Sequence, residues 1–332
     1  MQKAKYYVQE NEDKVRCLLC PHHCLLKSGQ TGICKVRTHR GDMLVSDNYG
    51  LISAKHMDPI EKKPLYHYFP GSKIFSIGSV GCNMQCFFCQ NCEISQTGVT
   101  DFPWLKAYSP EEMVSEALLV PGNIGIAYTY NEPSVFYEYM FDSATLSKSK
   151  GLKNVMVSNG YIEKEPLNDL IPLVDAFNID LKAFTEEFYM KCTHSHLEPV
   201  KQTLLHIREA GKHLEINNLV IPGLNDSEEI FETMVDWIAV NLGRQTILHL
   251  SRYFPRHLAT HPTTLESTLY RFKDIASQYI DFVYIGNVGG ETDTNCPNCK
   301  SLVIKRKNYE TIVVGLDNQG CCINCRLKIA IC

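Results

Sequence analysis

Residues 81–92 read GCNMQCFFCQNC, with thiols at Cys82, Cys86, Cys89 and Cys92. A Cys-x3-Cys-x2-Cys run in a loop can wrap three corners of a [4Fe–4S] cube. Three protein thiolates leave the fourth iron open to a substrate or cofactor. Four close the cluster and leave it only electron transfer. Cys82, Cys86 and Cys89 fit the three-ligand pattern, with Cys92 as an extra. All four could instead enclose a closed cluster or a zinc ion.

Two further groups flank this loop. Cys296-Pro-Asn-Cys299 and Cys322-Ile-Asn-Cys325 are two Cys-x2-Cys knuckles on either side of the strand-like stretch SLVIKRKNYETIVV. That spacing reads as a zinc ribbon or rubredoxin-like pair, holding a structural zinc or an auxiliary iron–sulfur cluster. Cys321 and Cys332 are spare thiols nearby. Cys17, Cys20, Cys24 and Cys34 form another four-ligand set, again for zinc or an iron–sulfur cluster, with His22 and His23 as alternative ligands. Cys192 stands apart.

The chain has 332 residues, a formal net charge of −4 and ordinary globular composition, so bulk charge draws it to neither nucleic acid nor an anionic membrane. The run Lys305-Arg306-Lys307 reads as a solvated strand or turn face. The first residues are polar and lack the apolar stretch of a secretory signal, and no run is long enough to span a bilayer. The expected location is the cytoplasm. In that reducing compartment fifteen cysteines in close groups point to metal rather than disulfides.

The elements that must position these groups alternate along the middle of the chain. Short apolar runs at 73–81, 123–130, 154–160, 174–180, 213–221, 246–251 and 281–288 read as strands. Amphipathic segments at 109–120, 134–150, around 166–171, 199–210, 226–242 and 264–279 read as helices between them. Ser109 is the expected N-cap of the first helix, with Pro110 at N1. Such βα units build a parallel sheet, doubly wound or barrel-like, whose ligand site lies at the C-terminal strand ends. Polar residues recur there: Asn131-Glu132, Ser158-Asn159, Asp180 with Lys182, and His249 with Ser251.

The Cys-x3-Cys-x-aromatic-Cys signature, with Phe88 as the aromatic, resembles the radical S-adenosylmethionine (SAM) superfamily over about residues 73–290. The resemblance implies a partial (β/α)6 TIM-type barrel, open at one side. It also implies a [4Fe–4S] cluster whose open iron chelates SAM, reductive cleavage to a 5′-deoxyadenosyl radical, and hydrogen abstraction from a substrate. Tyr130-Asn131-Glu132-Pro133 stands where the family has Gly-Gly-Glu-Pro, which makes Glu132 the acceptor for the SAM ammonium and narrows the match to a subgroup. Ser158 and Asn159 resemble the ribose or carboxylate contact. Asp180-Leu181-Lys182 is similar to the Asp-Leu-Lys of glycyl-radical activating enzymes, in which the lysine reaches SAM. By the same resemblance Asn217 meets the cofactor, Val220-Ile221-Pro222-Gly223 lines the adenine and His249 contacts the ribose.

A closer resemblance covers nearly the whole chain. CLLCPHHC…GIC, DPIEKKPLYHYFPGS, SIGSVGCNMQCFFCQNCEISQ, IAYTYNEPSVFYEY and YIGNV look like the radical SAM member of the AmmeMemoRadiSam group, which is associated with Memo-like and AMMECR-like proteins. The chain departs from that group in two places. Cys92 replaces a common Trp, and Cys192-Thr193-His194-Ser195-His196 replaces a Gly-Gly-Arg-type stretch. The implied organisation is an N-terminal Cys-rich segment at 1–65, the barrel at 66–290 and a C-terminal Cys-knuckle segment at 291–332. The link from Asp58 to Pro64 is expected to turn its charges to solvent, though the group resemblance keeps open a role in the site.

The implied partners are a flavodoxin- or ferredoxin-like electron donor and a small-molecule or peptide substrate, with Memo-like and AMMECR-like proteins as candidates. Three other activities stand beside this reading. One is activation of a glycyl-radical enzyme. Another is RNA modification, which the acidic balance disfavours. The third is SAM-independent electron transfer through a closed four-cysteine cluster, against which Glu132 argues.

Overall fold

The computed structural model describes residues 2–332. Its centre is one eight-stranded sheet: β1 (Ala54–Pro59), β2 (Lys73–Gly78), β3 (Asn123–Tyr128), β4 (Lys153–Ser158), β5 (Ala176–Asp180), β6 (His213–Val220), β7 (Ile247–Arg252) and β8 (Phe282–Gly286). The strands lie side by side in chain order. β1 runs antiparallel to β2, and the rest are parallel. Six helices make the crossovers: α1 (Pro110–Leu119), α2 (Tyr137–Ser149), α3 (Lys164–Leu170), α4 (Leu197–Glu209), α5 (Glu228–Asn241) and α6 (Glu266–Ala276). Parallel neighbours joined in strict sequence by crossovers of one hand put all helices on one face, so the sheet curls around its other face. β1 and β8 do not pair, which leaves the barrel open. This is the expected partial barrel, with a seventh parallel strand and an antiparallel edge strand.

The local chemistry matches the elements. At the start of α1, Ser109 accepts from the Glu112 amide while Glu112 accepts from the Ser109 amide, a reciprocal capping box. The 134–150 segment begins as a tight turn at Pro133–Phe136 before α2. Along β2–β7 the residues alternate. Ile77, Ile126, Met156, Ile179, Ile216 and Leu248 join the large core under the helices. Ala127, Val155 and Ala176 face inward and pack on Ile60, Leu65 and Tyr68 of the strap that follows β1.

That strap corrects an expectation. Asp58, Glu61 and Lys63 are buried rather than solvated. Asp58 accepts from Lys62 (2.9 Å), Lys63 (2.7 Å) and the Tyr130 hydroxyl (2.6 Å), and Glu61 accepts from the Gly71 amide. Charges go inside here because each finds a partner there. β1 also starts the sheet inside the segment assigned to 1–65.

The C-terminal segment closes the inner face beside β7 and β8. Val303 and Ile304 on β9 (Leu302–Lys307), with Cys296, Cys322 and Ile329, pack on Tyr66, Ile247, Phe282 and Tyr284. Of Lys305-Arg306-Lys307, only the flanking lysines are solvated. Arg306 is buried, stacks over Tyr66 and donates to the Tyr66 carbonyl and to Thr294 Oγ1. The N-terminal residues form two three-stranded antiparallel sheets of very short strands. No helix among the described residues is long and apolar enough to cross a membrane.

Candidate active site

A cavity of about 560 Å3 opens at the C-terminal ends of β2–β7. Cys82, Cys86, Phe88 and Cys89 of the loop after β2 form one wall. Lys62 and Lys63 of the strap, Glu132 after β3, Ser158 and Asn159 after β4, Lys182 after β5, Asn217 on β6 and Ser251 on β7 complete it. Cys92 opens a one-turn helix, Cys92–Ser95, outside the cavity lining.

The cluster loop is held tightly. Gly81 has φ +92°, and a Cβ there would lie 2.6 Å from the Cys34 carbonyl, so only glycine fits. Asn131 accepts from the Ser79 amide (2.9 Å) and donates to the Gly81 carbonyl (3.0 Å), so its side chain braces the loop. Burial pushes the Cys86 thiol up to about 12 and the Cys82 thiol well above its ordinary range, in the latter case with the Glu132 charge adding to it. A cation bound here would invert the preference and demand thiolates. The surroundings fit that demand. Asn159 Nδ2 lies 3.6 Å from Cys82 Sγ, the Met84 amide donates to the same sulfur at 3.4 Å, and the Lys182 charge acts on Cys86.

Glu132 is buried, and three donors reach it: Ser158 Oγ (2.7 Å) and the Ser134 amide (2.9 Å) at Oε1, and the Asn159 amide (2.8 Å) at Oε2. Burial raises its pKa while these donors oppose the rise. Glu132 also lines the cavity. Tyr130, just before it, takes the left-handed backbone at φ +73°. A bulky residue rarely does so. Its hydroxyl donates to Asp58 on β1.

Opposite the thiols runs a polar chain across three strand ends. Lys182 Nζ donates to Asp180 Oδ2 (2.7 Å), Asn217 Nδ2 donates to Asp180 Oδ1 (2.9 Å), and Ser251 Oγ donates to Asn217 Oδ1 (2.7 Å). Burial alone would lower the Lys182 pKa, but the Asp180 carboxylate and the Cys86 sulfur raise it, so the ammonium stays charged.

Two expected contacts lie elsewhere. His249 sits on the same strand face as Ser251, two residues toward the strand's start and so one layer below the cavity. It bonds Glu215 Oε2 at 2.7 Å and is buried. Glu215 also receives His213 and the amides of Tyr66 and His67. A histidine locked to a buried carboxylate in this way braces the strap instead of touching a ribose. Val220 and Ile221 pack in the helix-side core, and Leu219 is the wall residue. Lys62 and Lys63 line the cavity without having been assigned to the site, and Tyr130 and Ser251, read from the sequence only as part of a motif and as a strand-end residue, line it too. The DPIEKKP stretch carried the signal for the lysines.

The outer cysteines differ from each other. The ligand atoms of Cys296, Cys299, Cys322 and Cys325 all lie within 4.8 Å of one another, with Cys296–Cys325 and Cys299–Cys322 sulfurs 3.4 and 3.5 Å apart. Cys321 and Cys332 are not part of that set. Cys17, Cys20, Cys24 and Cys34 wall one enclosed pocket but stand farther apart.

Three thiols facing a polar, strand-end cavity on a partial parallel barrel define a class, and comparison with known proteins agrees. Residues 76–236 match the Radical SAM superfamily. The chain belongs to that superfamily, whose enzymes use a [4Fe–4S] cluster and SAM. It is 39% identical over 322 residues to the uncharacterized protein MJ0808 of Methanocaldococcus jannaschii, covering 96% of this chain and 95% of that one. It is 23% identical over 145 residues to the (2S)-3-sulfopropanediol dehydratase activating enzyme of Klebsiella oxytoca, where it spans 46% of the relative and 42% of itself. In fold it is similar to Streptococcus suis SuiB bound to S-adenosylmethionine, with TM-score 0.52, 14% identity, and coverage of 66% of this chain and 51% of that one.

Proposed function

We propose that Cys82, Cys86 and Cys89 hold the catalytic [4Fe–4S] cluster, with SAM seated between Glu132 and the Lys182–Asp180–Asn217–Ser251 chain. Bound there, cluster and SAM supply one electron and a 5′-deoxyadenosyl radical that takes a hydrogen atom from the substrate. The observation that carries this reading is the cavity itself, with three thiols on one wall and, on the others, an ammonium acceptor and a charged lysine. The Glu132 carboxylate, lining the cavity, suits the SAM ammonium. Lys182 suits an anionic group near the cluster, and Asp180 keeps it charged and aimed. Phe88 lines the same cavity and packs near Phe188.

The volume is that of a single ligand site, so SAM and one small target group fill it. The substrate is then a small molecule or an inserted peptide side chain. The second reading is activation of a glycyl-radical enzyme, favoured by Asp180-Leu181-Lys182 and by the likeness to an activating enzyme. Membership of the AmmeMemoRadiSam group, with Memo-like and AMMECR-like partners in the cytoplasm, rests on the strap motif and the N-terminal cysteines. For the C-terminal four cysteines zinc is the proposed metal, since tetrahedral ligation at about 2.3 Å spaces sulfurs about 3.8 Å apart.

The test is anaerobic. The protein is reconstituted with iron and sulfide, reduced, given SAM and assayed for 5′-deoxyadenosine against Cys86→Ala. Product from the wild type alone supports the reading. A cluster whose spectrum ignores SAM, with no product, overturns it.

A further inference from the structure

We propose that Lys62 and Lys63 bind an oxyanion of the substrate, a carboxylate or a phosphate, so that the substrate is a small acid or an acidic side chain. This rests on the reading of the cavity as a SAM-cleaving site. The first observation is a charge count. Both lysines line the cavity. Both pair with one carboxylate, Asp58, through Oδ1 at 2.9 Å for Lys62 and through Oδ2 at 2.7 Å for Lys63. Among the described residues neither lysine pairs with any other acid. Two ammonium groups on one carboxylate leave one positive charge uncompensated at the strap.

The second observation is the burial of Lys63, whose side chain is 2% exposed. An ammonium carries three N–H donors. Among the described residues Asp58 is the one hydrogen-bond acceptor of Lys63. The Tyr130 ring faces the ammonium at 4.5 Å, which attracts the charge but takes no N–H in the manner of an oxygen. A buried charge costs free energy unless it is paired and hydrogen-bonded. Burial lowers the Lys63 pKa, the Lys62 charge adds to this, and Asp58 does not overcome it. A carboxylate or phosphate from a ligand supplies both the acceptors and the charge that the strap lacks.

The third is that SAM leaves these lysines unused. SAM has one carboxylate, and Lys182, whose charge acts on Cys86, already suits an anion near the cluster. The acids on the cavity wall are engaged as well. Asp180 takes Lys182 and Asn217, and Glu132 takes Ser158 and the amides of Ser134 and Asn159. Asp58, which gathers the two strap lysines, belongs to β1, whereas the Lys182–Asp180–Asn217–Ser251 chain spans β5 to β7. Three strands of the sheet separate β1 from β5. The cavity therefore has two cationic stations, and one molecule of SAM provides the anion for only one of them.

The test uses the full chain, anaerobically reconstituted, with inorganic phosphate and acetate as probes and chloride at matched ionic strength as the control. Thermal unfolding reads binding, because a ligand of the folded state raises the midpoint with its concentration relative to its dissociation constant. At least one of the two anions gives a rise beyond chloride, in the presence of saturating SAM as in its absence. The anion that acts at the lower concentration separates a phosphate-bearing substrate from a carboxylic acid. In Lys62→Gln, a half-exposed position that tolerates the change, the dissociation constant of that anion rises about tenfold or more, as expected for loss of one charge-assisted hydrogen bond. No rise from either anion overturns the proposal, and so does a dissociation constant unchanged in Lys62→Gln. A rise that SAM abolishes in the wild type shows that the strap lysines hold the SAM carboxylate, and overturns it too. Failure of the wild type to form 5′-deoxyadenosine with dithionite strikes the SAM-cleaving reading instead and leaves the titration without SAM standing.

Discussion

Asn159 Nδ2 lies 3.6 Å from Cys82 Sγ and 2.9 Å from Asn83 Oδ1, so one amide on the β4 end clamps the first residues of the cluster loop. An N–H directed at a ligating sulfur stabilises the more negative, reduced state of a cluster and raises its potential. Asn159→Leu removes that donor while its backbone amide still reaches Glu132. At about 1 kcal/mol per hydrogen bond, the midpoint potential moves roughly 40 mV more negative, with 59 mV to a tenfold change for one electron. Redox-poised EPR titration reads the shift, and an unchanged potential removes Asn159 from this role.

Cys92 separates the open from the closed cluster. It lies outside the cavity lining, on a one-turn helix. In a Cys92→Ala variant the iron bound at this loop and SAM cleavage stay at the wild-type level, whereas Cys86→Ala loses both. Iron analysis with 5′-deoxyadenosine quantification distinguishes them. Equal loss in both variants establishes a four-cysteine cluster.

The barrel was readable because it is made of long periodic signals. Each of the seven parallel strands and six helices falls where apolar runs and amphipathic segments stand, with ends displaced by a few residues. Glu132, Ser158, Asn159, Lys182 and Ser251 were readable as strand-end residues, and Asn217 only through the family resemblance. Three features were not. The N-terminal sheets consist of strands of two to five residues, too short for periodicity to register. Asp58, Glu61 and Lys63 look like solvated charges until Lys62, Tyr130 and the Gly71 amide, remote or adjacent in sequence, arrive as partners. His249 has the same inward parity as Ser251, and a strand pattern cannot tell which layer of a barrel interior faces the ligand.

His67 makes stability pH-dependent. Arg306 donates to Thr294 Oγ1, Thr294 donates to the Tyr284 hydroxyl, Tyr284 donates to His67 Nε2, and His67 Nδ1–H donates to the Ile329 carbonyl. The ring is neutral in this chain. Burial foremost, with the Arg306 charge adding to it, brings its pKa down to about 3. A histidine with a depressed folded pKa contributes fully above its unfolded value near 6.5 and loses that contribution as pH falls toward 3. Between pH 7 and 5 unfolding free energy drops by about 2 kcal/mol. Urea denaturation at the two pH values reads the drop. In His67→Gln it shrinks to the remainder carried by other groups, and an identical drop in the variant rejects His67 as the source.

The strap over the cavity depends on the pair between Lys63 and Asp58, both buried, at 2.7 Å. Asp58 has its pKa held well below the carboxylate range: burial opposes this, but Lys63, Tyr130 and Lys62 more than overcome it. Removing one partner of a buried pair strands the other charge and costs about 3–5 kcal/mol. Asp58→Leu therefore destabilises the protein by about that much at pH 7. The sign of the pH effect follows from the depressed folded pKa. The Asp58 contribution is complete above its unfolded value near 3.9 and is lost only as pH falls below it, so the gap between wild type and variant stays constant from pH 7 to 5 and narrows in stronger acid. Lys63→Met/Asp58→Leu removes both charges and recovers much of the loss, because burying neither ion avoids the desolvation cost. Thermal unfolding of four proteins, wild type, Asp58→Leu, Lys63→Met and the double variant, closes the double-mutant cycle. A double variant no more stable than Asp58→Leu shows that the strap is held by packing around Leu65 and Tyr68 instead of by this pair.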